Sequence, residues 1–293
     1  MNKISRAVNR EIILFYLITV FISWPIIFVT DALLVPRYSQ TGFAELIALF
    51  GHILAMLCPM LSGLLVLRYF QKDKLLSWIW SRGKYYIYAL FAGLLLWVVP
   101  GLIWLSLDKN LSLKLIFNNY DIMFVSFYLV LGWIAGIGEE YGWSAFVLTE
   151  LYEKIGKSKA VVVSGCLRGF WHLPFLAIPV YLKVLSGNKS INELFLLTIV
   201  FAVQLIIGNI FFSALFGYVW FRTKSIPLLG WMHFLFDAFR DFTIFFIAGF
   251  INSTWFKIGW AFPFYFLAYL AFTKIAKEDG YSNYLEIFYK KKY

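Results

Sequence analysis

The feature that most constrains this chain is a succession of eight long apolar runs, near Ile12–Val35, Phe43–Phe70, Tyr85–Leu107, Ile122–Leu148, Ala160–Leu182, Leu194–Trp220, Ile226–Phe250 and Trp255–Ile275. A helix needs about 20 mostly apolar residues to cross the roughly 30 Å hydrocarbon core of a bilayer, and every run is long enough. The sequence therefore predicts an all-α, polytopic membrane protein, a bundle of about eight transmembrane helices. Pro25, Pro59, Pro100 and Pro174 fall inside the runs. Neighbouring helices can re-satisfy the carbonyls they free, so they predict kinks more than boundaries. The longest connection is about fifteen residues, so residues 1–293 read as a single integral membrane domain.

The basic start, Lys3, Arg6 and Arg10, resembles the head of a secretory signal. The apolar run behind it is too long for the core of such a signal and more spans follow, so it reads as a retained first helix. Composition matters here for the 26 Lys and Arg against 16 Asp and Glu, a net charge of +10. A nucleic-acid partner would need that charge clustered on a solvated face. Instead it lies between apolar runs, so no nucleic-acid partner is expected and the charge reports orientation. Connections on the side of the N terminus hold eighteen Lys and Arg; the opposite side holds six, Arg37, Lys109, Lys114, Lys183, Lys189 and Lys257. That asymmetry predicts cytoplasmic termini. Cys58 and Cys166, each within an apolar run, give neither a disulfide framework nor a C-x-x-C motif.

Ionisable side chains inside membrane helices are expensive and mark function by default. The fourth run carries Glu139 and Glu140, the fifth Arg168 and His172, the seventh His233, Asp237, Arg240 and Asp241, and the second Glu45 and His52. Adjacent carboxylates on a helix point about 100° apart, so one can face a cavity while the other pairs with a neighbouring helix. His233 and Asp237, spaced i, i+4, share a helix face, as do Arg168 and His172. Measured along each run from its cytoplasmic end, Glu139 lies about 14 Å deep, His172 about 18 Å and His233 about 11 Å. These groups are thus expected to meet in one polar cavity in the cytoplasmic half of the membrane, open toward the cytoplasm or the inner leaflet, which favours a cytosol-facing peptide or a membrane-anchored precursor as substrate. His52, without a polar neighbour at helical spacing, reads as a packing or hydrogen-bonding residue, and Arg168, Arg240 and Asp241 as internal charge compensation.

The stretch Gly138-Glu139-Glu140-Tyr141-Gly142-Trp143-Ser144, then Phe170-Trp171-His172-Leu173-Pro174, then His233-Phe234-Leu235-Phe236-Asp237, resembles the three motifs of the CAAX protease and bacteriocin-processing family, also called the Abi family. Those motifs read E-E-x-x-x-R, F-x-x-x-H and H-x-x-x-N or D, in that order, and the likeness covers roughly residues 132–239, within a family-like core of about residues 122–250. Two positions depart from the pattern: Ser144 stands where the family has Arg, and Arg168 where it has Phe. The guanidinium lost from one helix and gained on its neighbour suggest a relocated charge.

The resemblance implies an intramembrane endopeptidase of a bacterial cell membrane that acts on a peptide or a membrane-anchored precursor. Its catalytic positions correspond to Glu139, His172, His233 and Asp237; Glu140 reads as a supporting acid paired with Arg168 or Arg240. The sequence has no G-x-S-x-G or H-E-x-x-H. The expected chemistry is water activated by Glu139 with His172, with His233 and Asp237 stabilising the oxyanion and no cofactor taking part. As alternatives, Glu139, His172, His233 and Asp237 could hold Zn²⁺, or the chain could be an eroded family member acting as a bacteriocin self-immunity or scaffolding protein.

Overall fold

The structure, a computed structural model, describes residues 3–38, 43–70, 78–114, 119–175, 178, 187, 190–248 and 261–281. Parts of several expected runs, the side chain of Glu45, and Lys183, Lys189, Lys257 and Lys290 to Lys292 lie outside the described residues. The described residues are almost wholly helical. Helix α1 comprises Lys3–Ile27, a wide π-helical stretch Phe28–Leu34 and the turn Val35–Tyr38. Helix α2 is Ala44–Tyr69, and α3 runs through Gly83–Gly93, a π stretch Leu94–Val98 and Val99–Leu107. Helix α4 joins Asn119–Glu140, a π stretch Tyr141–Leu148 and Thr149–Ile155. Helices α5 (Lys157–Trp171), α6 (Ile191–Thr223), α7 (Ile226–Phe246) and α8 (Phe262–Glu278) complete the bundle. A two-residue antiparallel pair, Ser112–Leu113 with Ile247–Ala248, ties the start of α4 to the end of α7.

Among the described residues, five helical stretches are long and apolar enough to cross a membrane: Arg10–Arg37, Leu46–Tyr69, Gly83–Leu107, Asp121–Ile155 and Thr198–Thr223. The all-α membrane class therefore holds, while the count of eight spans does not follow from length and apolarity. The reasons are local. Helix α5 breaks after Trp171, two residues before the helix-disfavouring position that precedes Pro174. Helix α7 is long enough, yet carries Asp237, Arg240 and Asp241. Helix α8 is 17 residues long. Two of the three short or charged helices contribute directly to the site described below.

Helix α4 is the axis of the bundle, packed between α2 and α7, while α5 and α6 lie along one another and α8 flanks α6. Lipid tails are as apolar as leucine, so helices in a membrane associate through close packing of small residues. A Cβ placed on Gly142 would stand 2.7 Å from the Pro59 carbonyl oxygen, and one on Gly165 would stand 2.5 Å from the Ile210 Cα. Only glycine lets these backbones meet.

At one end of the bundle, the termini of α5, α6 and α8 are stitched by charge, beside the end of α4, the fourth terminus there. Lys157 Nζ lies 2.9 Å from Glu278 Oε2, Arg222 also pairs with Glu278, and Asp279 accepts hydrogen bonds from the amide and hydroxyl of Ser158 at 2.7 and 2.8 Å. Lys154, Lys159, Lys224, Lys274 and Lys277 belong to the same four termini and the loop between α6 and α7, which makes this the basic end. It provides a fixed reference for the site.

Candidate active site

Glu139 and Glu140 close the regular part of α4, immediately before its π stretch. Both carboxylates are buried, and both meet Arg168, which is itself only 2% exposed. Arg168 Nη2 donates to Glu139 Oε2 at 2.7 Å, and Nη1 lies 3.0 Å from Glu140 Oε1. The guanidinium also lies over the Phe212 ring, 4.2 Å from its centroid. One planar cation thus bridges two adjacent acids in a dry setting, the geometry that suits arginine and that lysine cannot copy.

The pair is held asymmetrically. Glu140 is enclosed: its Oε1 faces Arg168 and His233, and its Oε2 accepts the hydroxyl of Ser144 one turn along the helix. Glu139 spends Oε2 on Arg168 and lines a cavity of about 590 Å³. Among the described residues, no protein donor meets its Oε1.

His233, on α7, connects the acids to a second charged group. Its Nδ1 lies 2.9 Å from Glu140 Oε1 and 3.3 Å from Arg168 Nη2, and its Nε2 lies 3.1 Å from Asp237 Oδ2. With hydrogen on Nε2 the ring donates to Asp237 and accepts from Arg168; with hydrogen on Nδ1 it donates to Glu140. Asp237 also meets Arg240 Nη1 at 2.9 Å, Arg240 Nε meets Asp241 Oδ1 at 2.7 Å, and the Tyr128 hydroxyl donates to Asp241 at 2.9 Å. His172 ends α5. Its Nδ1 donates to the Arg168 carbonyl at 2.8 Å, leaving Nε2 without a partner among the described residues as the ring lines the cavity.

The structure therefore brings Glu139, Arg168, His172, His233, Asp237 and Arg240 to one cavity, with Glu140 sealed behind them. Three details differ from the expected pairings. Glu139 is hydrogen-bonded by Arg168 and not by His172. Arg240 serves Asp237 and Asp241, not Glu140. The cavity also extends the other way: Ala48 to Ile53 on α2, Phe124 to Ala135 on α4 and Phe236 to Asp241 on α7, which line it, lie beyond Glu139 as seen from the basic end. On the opposite side Tyr141 to Leu148 are all buried. The expected opening toward the basic end is closed by that packing.

Among the described residues, no three His, Cys, Asp or Glu side chains are grouped so as to hold a metal ion. The four positions considered for Zn²⁺ do not fit one as placed. His233 faces a carboxylate with each ring nitrogen, and a guanidinium already sits against Glu139.

Residues 121–239 match the family model described as type II CAAX prenyl endopeptidase Rce1-like. This segment is Rce1-like. It contains every one of the placed groups just described from Glu139 to Asp237, a likeness that supports a peptidase of the CAAX type in a chain built from apolar, membrane-length helices. Comparison with curated proteins gave no match. Well before the Rce1-like segment in the chain lie two groups that the motifs did not single out, His52 and Asp31. Asp31 is a carboxylate in the first apolar run, a signal of the kind that singled out Glu139.

Proposed function

We propose that the protein hydrolyses a peptide bond with water activated by Glu139, without a metal. The observation that carries this reading is the asymmetry of the acid pair: Glu140 is fully engaged, while Glu139, on the cavity wall, keeps one oxygen that no donor among the described residues meets. A carboxylate anchored through one oxygen and open at the other can orient a water and accept its proton as that water attacks a carbonyl carbon. The unpartnered Nε2 of His172 offers a second contact for that water or for the leaving amine. Arg168 supplies the fixed positive charge that a metal would otherwise bring. His233, steadied between Glu140 and Asp237, supports the developing oxyanion as a ring N–H donor or through Arg168.

The relocated guanidinium speaks against erosion. Ser144 has lost the arginine of the motif, but Arg168 reaches both glutamates from α5, and Ser144 itself hydrogen-bonds Glu140. With the basic end cytoplasmic, the cavity opens from mid-membrane toward the opposite side, and the substrate enters as an extended peptide or membrane-anchored precursor from that half of the bilayer. The test is cleavage of a synthetic peptide library by the purified protein in detergent, with Glu139→Gln as control. Products that depend on Glu139 support the reading. An intact library with wild-type protein, or identical products from both proteins, refutes it in favour of a scaffold.

A further inference from the structure

Beyond the acid pair, the cavity holds a second dyad that the mechanism does not use. His52 on α2 lines the cavity, and its Nε2 lies 3.2 and 3.0 Å from the two carboxylate oxygens of Asp31. Asp31 is buried within the π-helical stretch of α1. That wide turn presents a residue where an ordinary helix would not, and such stretches are frequent at functional sites. Close packing sets the pair. A Cβ on Gly51 would stand 2.2 Å from Thr30 Oγ1, so glycine beside His52 is what lets α2 settle against the π turn beside Asp31.

Two independent contacts place the dyad relative to the acids. A Cβ on Gly138 would stand 2.8 Å from the Met56 carbonyl oxygen, so Glu139 lies level with Met56. His52 lies one helical turn, about 6 Å, further from the basic end. The rings of His52 and His172 also pack on the same phenyl group, with centroids 5.2 and 5.6 Å from Phe175. An extended peptide advances about 3.3 Å per residue, so a substrate whose scissile carbonyl meets Glu139 passes His52 about two residues away.

We infer that the His52–Asp31 dyad is a substrate subsite that binds a backbone N–H of the peptide about two residues from the cleaved bond. Asp31 fixes the hydrogen of the ring on Nε2, so Nδ1 is a hydrogen-bond acceptor, and no described residue meets it. A lone acceptor on an apolar wall suits an extended peptide, whose amide groups must leave water on entering the bilayer and are costly to leave unpaired there. Asp31 is the positioning residue, and Glu139 and Arg168 remain the reacting centre. The assignment rests on the protease reading.

The experiment uses one decapeptide cleaved by the full-length protein in micelles, resynthesised with a single backbone N-methyl group at each position in turn. Wild-type protein should lose roughly three- to tenfold in kcat/KM when the amide about two residues from the cleaved bond is methylated, the scale of one hydrogen bond. His52→Phe should raise KM for the unmodified peptide by a similar factor, change kcat little, and treat the methylated and unmodified peptides alike. His52→Asn, which keeps an acceptor near the Nδ1 position, should restore part of the discrimination, and it carries the test if the Phe variant does not fold. If both variants keep the wild-type KM and the full methylation penalty while Glu139→Gln is inactive, the subsite is wrong and the protease reading stands. If wild type and Glu139→Gln give the same products, or wild type gives none, both fall.

Discussion

The two halves of the bundle are built from the same apolar residue types and behave oppositely. On the basic side of Glu139 the helices are solid: Trp143, Phe146, Phe216 and Trp220 are buried together in one core. On the far side they enclose a cavity whose wall carries the charges. Glycine shows why. Gly142 and Gly165 sit where another backbone presses close, and there the missing side chain brings helices together. Gly208 faces the cavity, where an added Cβ would find only the Tyr265 hydroxyl, at 3.7 Å. The same residue tightens one half and hollows the other, and hydropathy treats the two alike.

The largest break in this comparison should come from Arg168, which joins the solid half to the hollow one. Arg168→Ala leaves two buried carboxylates without their cation, a loss of about 3–5 kcal/mol. Thermal unfolding in detergent should show a steep fall in Tm, with hydrolysis lost as well. The two glutamates should then separate stability from chemistry. Glu139→Gln should lower turnover by about 10²- to 10⁴-fold, the usual contribution of a general base, with Tm nearly unchanged. Glu140→Gln should lower Tm by breaking up contacts with Arg168, His233 and Ser144, each worth about 1.5–3 kcal/mol where a charge is involved. Equal effects of the two variants on Tm would erase the distinction between a free and an enclosed acid.

A smaller pair of substitutions probes the glycines. Gly142→Leu forces a side chain into Pro59 and should cost at least about 1–3 kcal/mol. Gly208→Leu should leave stability within about 0.5 kcal/mol of wild type, and so Tm nearly unchanged, while slowing hydrolysis by filling the cavity. The smallest effect belongs to the basic end. Partial burial would raise the Glu278 carboxyl, but the hydrogen bond from Lys157 and the charge of Arg222 outweigh it and hold the group below its ordinary value. A lowered carboxylate stabilises the fold at neutral pH and loses that contribution as pH falls through its folded range. For an exposed pair the amount is under about 1 kcal/mol, so Glu278→Gln should flatten only slightly the acid limb of a Tm-versus-pH curve.

The bundle and the acid pair were legible because each is a one-dimensional signal: runs of about 20 apolar residues, and charges where none belong. The family resemblance followed from the order of three short motifs. The partners were harder to read. Helices that are apolar all round carry no periodic stripe to fix their rotation, so nothing in the sequence placed Ser144 on Glu140 or Asp31 beneath His52. The shift of guanidinium from the first motif to Arg168 could be guessed at from the two departures; the guanidinium's reach to both acids is a property of how α5 lies against α4.

The π stretch Tyr141–Leu148 has a consequence for how this chain tolerates change in length. Below it, Thr149–Ile155 is locked to the basic end by the Trp220 indole, which donates to Thr149 at 3.0 Å; above it, the glutamates are locked to Arg168. The stretch is a phase adjuster between two fixed screws. Removing one residue there would turn one screw against the other by about 100°, swinging Glu139 off the cavity wall without touching a single residue of the site. Insertions and deletions in this stretch of the chain should therefore be sorted by rotation and not by distance from the acids.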